Sequence, residues 1–216
     1  MWIFRTLLIA CCLIGSAAFA GQYNQSFKNR ALAISIQAWG LPPGGVVLFG
    51  DSNTEIFRSS EVGGCQILNA GFAGARISDL AERASWLANL AKPSIVHVMV
   101  GTNNMRTPAG SDESDLRRIA KSFPNARVVL WAVPPIGPQF STTFERDRIN
   151  SLISHVAAEC GALFVGDWAA GMIGDDGYAK AGWLVGDDVH LTMNGQSARA
   201  ERIGKLDREQ GAACAT

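Results

Sequence analysis

A serine early in the chain, in Gly50-Asp51-Ser52-Asn53, is answered late in it by Asp187-Asp188-Val189-His190. A hydroxyl becomes a nucleophile when a base takes its proton, and the base acts best when a carboxylate orients it. An aspartate three residues before a histidine offers both partners from one segment. The chain has 3 histidines. His97 falls in an apolar, strand-like run and His155 in a helical pattern, so both read as structural. His190 falls outside any predicted helix or strand. The implied chemistry is acyl transfer through Ser52, with His190 as base and Asp187 as its orienting carboxylate. The bland alternatives are a turn at Gly50–Asn53 and a capping or surface role for His190, because Gly, Asp, Ser and Asn favour turns and caps for their own sake.

The elements that must position these groups are legible as runs. Val46–Phe49, Ile95–Val100, Arg127–Val133 and Ala162–Val165 are near-continuous apolar stretches ending at Gly or Pro, and Gln66–Asn69 is a weaker one. Such runs suit strands covered on both faces. Between them, Ile77, Leu80, Ala81, Ala84, Leu87 and Ala91 follow the helical period, as do Ile149, Leu152, Ile153, Val156 and Cys160. Further helices are predicted from Ser111 to Phe123, stopped by Pro124, and from Asn194 to about Glu209. Alternation of strand and helix predicts an α/β fold: three α/β/α layers with a central five-stranded parallel sheet. Ligands of such sheets bind beyond the carboxyl ends of the strands. Ser52, Gly71, Asn103, Asp187 and His190 all fall on that edge.

Composition narrows the partners. The 216 residues carry 19 basic and 19 acidic side chains, with no basic run, which disfavours nucleic-acid binding. The length suits one domain. Residues 1–20 have the layout of a secretory signal peptide: Arg5, then the mostly apolar Leu7–Gly15, then Ala18-Phe19-Ala20. Cleavage after Ala20 would leave a single domain over 21–216, exported to the periplasm or beyond, with no span to hold it in a membrane. Lipoprotein anchoring at Cys11 is the minor alternative. The exported chain would keep Cys65, Cys160 and Cys214, so at most one internal disulfide can form. No cysteine has metal-ligand spacing, and no metal or cofactor is expected.

Four separated segments together resemble the blocks of the SGNH, or GDSL-type, hydrolase family: Gly50–Asn53, Asn69–Gly74, Gly101-Thr102-Asn103-Asn104 and Asp187–Thr192. The resemblance implies the flavodoxin-like SGNH fold, Ser52 as nucleophile, and an Asp187–His190 pair completing a triad. It also implies an oxyanion hole from the Ser52 and Gly71 backbone N–H groups and the Asn103 side chain. The reaction implied is hydrolysis of a small-molecule, carbohydrate or lipid ester, acetyl-type esters foremost. Acyl transfer to a sugar, thioester or lysophospholipid cleavage, and a non-catalytic binding module on the same fold are the competing readings. The chain departs from the family at Asn53, where leucine or isoleucine is common, and at Asn104, where aspartate is usual. Phe72, Arg76 and Arg106 flank the blocks but read more simply as packing and solvated charge.

Overall fold

Five buried runs become the parallel strands β1 (Val46–Gly50), β3 (Cys65–Gly71), β4 (Ile95–Met99), β5 (Arg127–Trp131) and β6 (Leu163–Val165) in the structure, a computed structural model that describes residues 25–210. Every residue of β1 and β4 is buried, as a strand covered on both faces requires. The segment expected to be a signal peptide, the expected cleavage point, Cys11 and Cys214 lie outside the described residues. The helices are α1 (25–39), α2 (Ser52–Glu55), α3 (Ile77–Ala91), α4 (Thr102–Arg106), α5 (Asp112–Lys121), α6 (Thr143–Cys160) and α7 (Met193–Glu209).

The sheet has six strands rather than five. Its order is β2-β3-β1-β4-β5-β6, where β2 (Glu61–Val62) pairs antiparallel with the start of β3. Two residues are too few to show a hydrophobic period, but the Gly63-Gly64 turn that follows is a hairpin signal. Both glycines have positive φ, 62° and 89°, as the tight turns that match strand twist demand. The parallel strands alone run β3-β1-β4-β5-β6, so chain order reverses direction between β1 and β4. That reversal opens a crevice at the carboxyl edge of the sheet.

The two faces are covered unequally. On one, α1, α3, α5 and α6 build the larger core, including Phe27, Ile34, Leu80, Leu87, Leu116, Ile119, Ile149 and Ile153. α1 is the element that the apolar runs did not announce. It seats Phe27 against Phe72, ring centroids 5.6 Å apart, and buries Ile34 completely. On the other face, Ile203 and Leu206 of α7 close a smaller core over Val46, Leu48, Ile95, Met99, Val129 and Trp131. Cys65 is disulfide-bonded, and Cys160 is free. Among the described residues no helix is long and apolar enough to cross a membrane.

His97 points into that second core and is fully buried. The Trp131 indole N–H can only donate, and it donates to Nδ1 of His97 at 3.1 Å. Nε2 therefore carries the proton that meets Oδ1 of Asp207, 2.9 Å away on α7. This chain of bonds ties the far end of α7 to β4 and β5. Cutting it leaves a buried imidazole N–H without an acceptor, so Asp207→Ala is expected to lower stability by about 3 kcal/mol. The measurement is the urea midpoint at neutral pH.

Candidate active site

β1 carries the chain out of the core, and α2 begins at once with Ser52 as its first residue. Asp51 caps that helix: its carboxylate accepts the Asn53 N–H at 3.1 Å. The serine thereby emerges partly exposed while Asp51, Asn53 and Thr54 stay buried.

The opposite partner comes from the loop before α7. Nε2 of His190 lies 2.8 Å from Oγ of Ser52, and Nδ1 lies 2.6 Å from Oδ2 of Asp187. Oδ1 of Asp187 also accepts the backbone N–H groups of Val189 at 3.1 Å and His190 at 3.0 Å. Partial burial pushes this carboxyl upward, but bonds from the His190 ring and from the His190 and Val189 N–H groups outweigh it and hold the group below its ordinary value. The three residues foreseen from sequence are thus in one hydrogen-bonded line. The line is open to solvent: the side chains of His190 and Asp187 are 31% and 46% exposed.

Asp188 fastens this loop to the segment after β5. It adopts the left-handed φ of 62°, its carbonyl accepts the Gly137 N–H at 2.8 Å, and its carboxylate accepts the Gln139 N–H at 3.0 Å. The carboxylate occupies the space a side chain at residue 137 would need, since a Cβ there would sit 2.0 Å from Cγ of Asp188.

Two further residues, Asn103 and Gly71, were expected in an oxyanion hole. Asn103, on α4, donates through Nδ2 to the Ala75 carbonyl at 2.9 Å, which fixes the amide while its second N–H is still available to a ligand. Gly71 is placed differently. It is buried at the end of β3, and its N–H is committed to Oδ1 of Asn69 at 3.0 Å. Its lack of a side chain serves packing instead, because a Cβ would lie 2.1 Å from the Glu55 backbone nitrogen.

Further residues build the site, and Arg30 among them carried no sequence signal. Asn69 donates to the carbonyls of Thr54 at 2.8 Å and Phe57 at 2.9 Å, which joins β3 to α2. Arg30 of α1 reaches the carbonyls of Gly71 at 2.7 Å and Asn69 at 2.8 Å. Asn104, where the family usually has aspartate, is buried; it accepts the Ile77 N–H at 3.0 Å and donates to Asp112 at 2.6 Å. An aspartate there would set two carboxylates against each other, so the amide fits this chain. Phe72 is core, Arg76 bonds the Thr107 carbonyl, and Arg106 lies 5.5 Å over the Phe140 ring. Glu113, His155 and Glu159 cluster on α5 and α6, but Arg117 holds both carboxylates, as expected of a surface ion-pair network.

Beneath the serine lies a buried pair of charges. Burial pushes Asp51 up to about 6, against the pull of the Asn53 N–H, Thr102, Arg199 and His190. Arg199 of α7, fully buried, is drawn down to about 10 by the same desolvation, opposed by Asp51. Its guanidinium donates to the Asn53 carbonyl and to Oγ1 of Thr54, each at 3.1 Å.

A flavodoxin-like sheet with a Ser-His-Asp line at its carboxyl edge is the architecture of an ester hydrolase. Residues 48–198 match the GDSL-like lipase/acylhydrolase family, and the chain belongs to that family of ester-cleaving enzymes. No curated protein matches the sequence. Among solved structures, a Streptococcus pneumonia protein named for platelet activating factor superposes with a TM-score of 0.76 at 16% identity, over 89% of this chain and 98% of that one. A GDSL-like lipase from Bacteroides thetaiotaomicron gives 0.66 at 20% identity, over 86% and 98%. An acetyl xylan esterase from Geobacillus stearothermophilus gives 0.59 at 20% identity, over 80% and 97%. At these identities the likeness is one of fold.

Two outcomes follow from the geometry. Gly137→Ala forces the Asp188 carboxylate aside and with it the loop that presents His190; kcat on p-nitrophenyl acetate is expected to fall at least ~10-fold with KM little changed, a misplacement effect. The second concerns pH. The folded chain keeps the Asp51 proton up to about pH 6, whereas the unfolded chain releases it near 3.8. The folded state therefore binds more protons between those values, and this group's contribution to stability declines as pH rises from about 4 to 6. Asp51→Asn removes that titration. Urea unfolding at pH 4 and pH 7 should show the variant gaining on the parent by about 2 kcal/mol across the interval.

Proposed function

We propose that this chain is an exported serine esterase that removes short acyl groups, of acetyl size, by covalent catalysis at Ser52. The observation that carries the reading is the continuous line from Ser52 through His190 to Asp187, at 2.8 and 2.6 Å. His190 takes the hydroxyl proton as Oγ attacks the ester carbonyl, and Asp187 fixes the imidazole and stabilises it once charged. The negative oxygen of the tetrahedral intermediate is held by the Ser52 N–H and the second N–H of the Asn103 amide. His190 then passes its proton to the leaving alkoxide. A water, deprotonated by the same imidazole, releases the acid and restores Ser52.

An open triad supports a small acyl group on a large alcohol. A solvent-facing histidine admits a bulky leaving group and a water, while nothing about an exposed site favours a long alkyl chain over water. The likeness in fold to an acetyl xylan esterase points the same way. Export is supported by the leader-like first twenty residues and by the disulfide at Cys65, a bond that persists in oxidising compartments.

The chain beginning at Gly21 is expected to hydrolyse p-nitrophenyl acetate faster than the butyrate and far faster than the octanoate, and Ser52→Ala to abolish all three. Asn103→Ala should cost about 10²–10³ in kcat, the usual loss for one oxyanion donor. Turnover by the parent no greater than that of Ser52→Ala on every ester would overturn the reading.

A further inference from the structure

The serine's neighbour, Asn53, is fully buried, and its side chain points away from the nucleophile toward the loop that carries the base. Nδ2 donates to the Val189 carbonyl at 3.1 Å, and Oδ1 accepts the Leu191 N–H at 3.0 Å. Those two peptide groups flank His190 on either side. One donor and one acceptor meeting the C=O of one residue and the N–H two residues later is the pattern by which a parallel strand grips its neighbour. Here a side-chain amide imitates the missing strand.

The remaining backbone groups of His190 face the other way. Its carbonyl accepts the Val185 N–H at 2.9 Å, and its N–H goes to Asp187 at 3.0 Å. The main chain at His190 is therefore tied on both edges, and one edge is tied to the residue next to Ser52. The Asn53 carbonyl is in turn held by Gln196 and Arg199 of α7, each at 3.1 Å. Few rotatable bonds separate the amide from the nucleophile, so it transmits the position of one reacting residue to the other.

We infer that Asn53 is a positioning residue, whose amide sets the distance between Ser52 and the His190 imidazole by clipping the backbone on both sides of the base. The inference rests on the serine-esterase reading above. It gives a physical reason for the departure at this position, where the family commonly has leucine or isoleucine. A leucine fills a similar volume but makes neither bond, and it would leave two buried peptide groups unpaired in this chain. A shift of the base by an ångström is enough to cost about 10² in rate.

The test compares the parent with Asn53→Leu and Asn53→Asp, each confirmed folded by near-ultraviolet circular dichroism. Active sites are counted by fluorophosphonate labelling of Ser52. For Asn53→Leu the expected result is a kcat per labelled site about 10² lower, KM for p-nitrophenyl acetate little changed, and a labelling rate that falls in parallel. Asn53→Asp keeps the acceptor for Leu191 but sets a carboxylate against the Val189 carbonyl, and should fall about 10-fold. If the leucine variant does not fold, the aspartate variant decides alone. A folded variant with parental kcat per labelled site, its loss confined to melting temperature, would overturn the inference and leave the esterase reading intact. A parent that Ser52-directed reagents do not label would overturn the esterase reading and this inference with it.

Discussion

A strand buried on both faces has to deliver a partly exposed serine two residues after it ends, and the polar groups used in that turn stay inside. This constraint organises the site. Asp51 caps α2 with one carboxylate oxygen, while its other oxygen has only the Thr102 hydroxyl nearby and no well-aligned bond. Arg199 supplies compensating charge from a buried position without a direct bond to it. Replacing such a pair by apolar residues would often improve stability, and breaking it is costly. Its retention here is explained by what the guanidinium does bond: the Asn53 carbonyl and the Thr54 hydroxyl, which are the turn itself.

α7 is the strut that makes this possible. It starts just after His190, touches the nucleophile turn through Gln196 and Arg199, and is pinned near its far end by Asp207 to His97 and Trp131. One helix thus connects the His190 loop, the underside of the serine and the centre of the sheet. The larger core on the opposite face supports the strands and meets the site through Arg30 and through the Asn104 bonds to Ile77 and Asp112. A site braced by this helix over the smaller core depends on hydrogen-bond geometry more than on packed volume. The buried polar residues Asn53, His97, Gln196, Arg199 and Asp207 are the physical form of that dependence.

How much of this was legible beforehand divides along one line. The parallel strands could be read because complete burial imposes an apolar run that needs no knowledge of partners. The line from Ser52 to His190 and Asp187 could be read because His190 is the one histidine of three outside a predicted helix or strand, with Asp187 three residues before it at the sheet edge where Ser52 also falls. β2 is too short for a pattern, and α1 carries apolar residues on two sides, with Leu32, Ile36 and Trp39 exposed opposite Phe27 and Ile34, so its period is blurred. Asn104 and Asn53 departed from the family pattern, and nothing local could say why, because their partners Asp112, Ile77, Val189 and Leu191 are fixed only by the fold. The reading of Gly71 as a donor to substrate has the same origin. A glycine at a strand end looks the same whether it serves a ligand or a close backbone approach; only the Asn69 side chain, folding back on the strand end, commits its N–H.

The two sides of the line from Ser52 through His190 to Asp187 differ. Beneath the serine and behind the imidazole, the backbone of the His190 segment is bonded from Val185 and Asp187 on one edge and from Asn53 on the other. In front, Asp187 and His190 face solvent. Catalysis needs the reacting groups held closely, but it does not need the substrate enclosed. The buried polar network of this chain holds Ser52 and His190 from beneath and behind and leaves the front of both open.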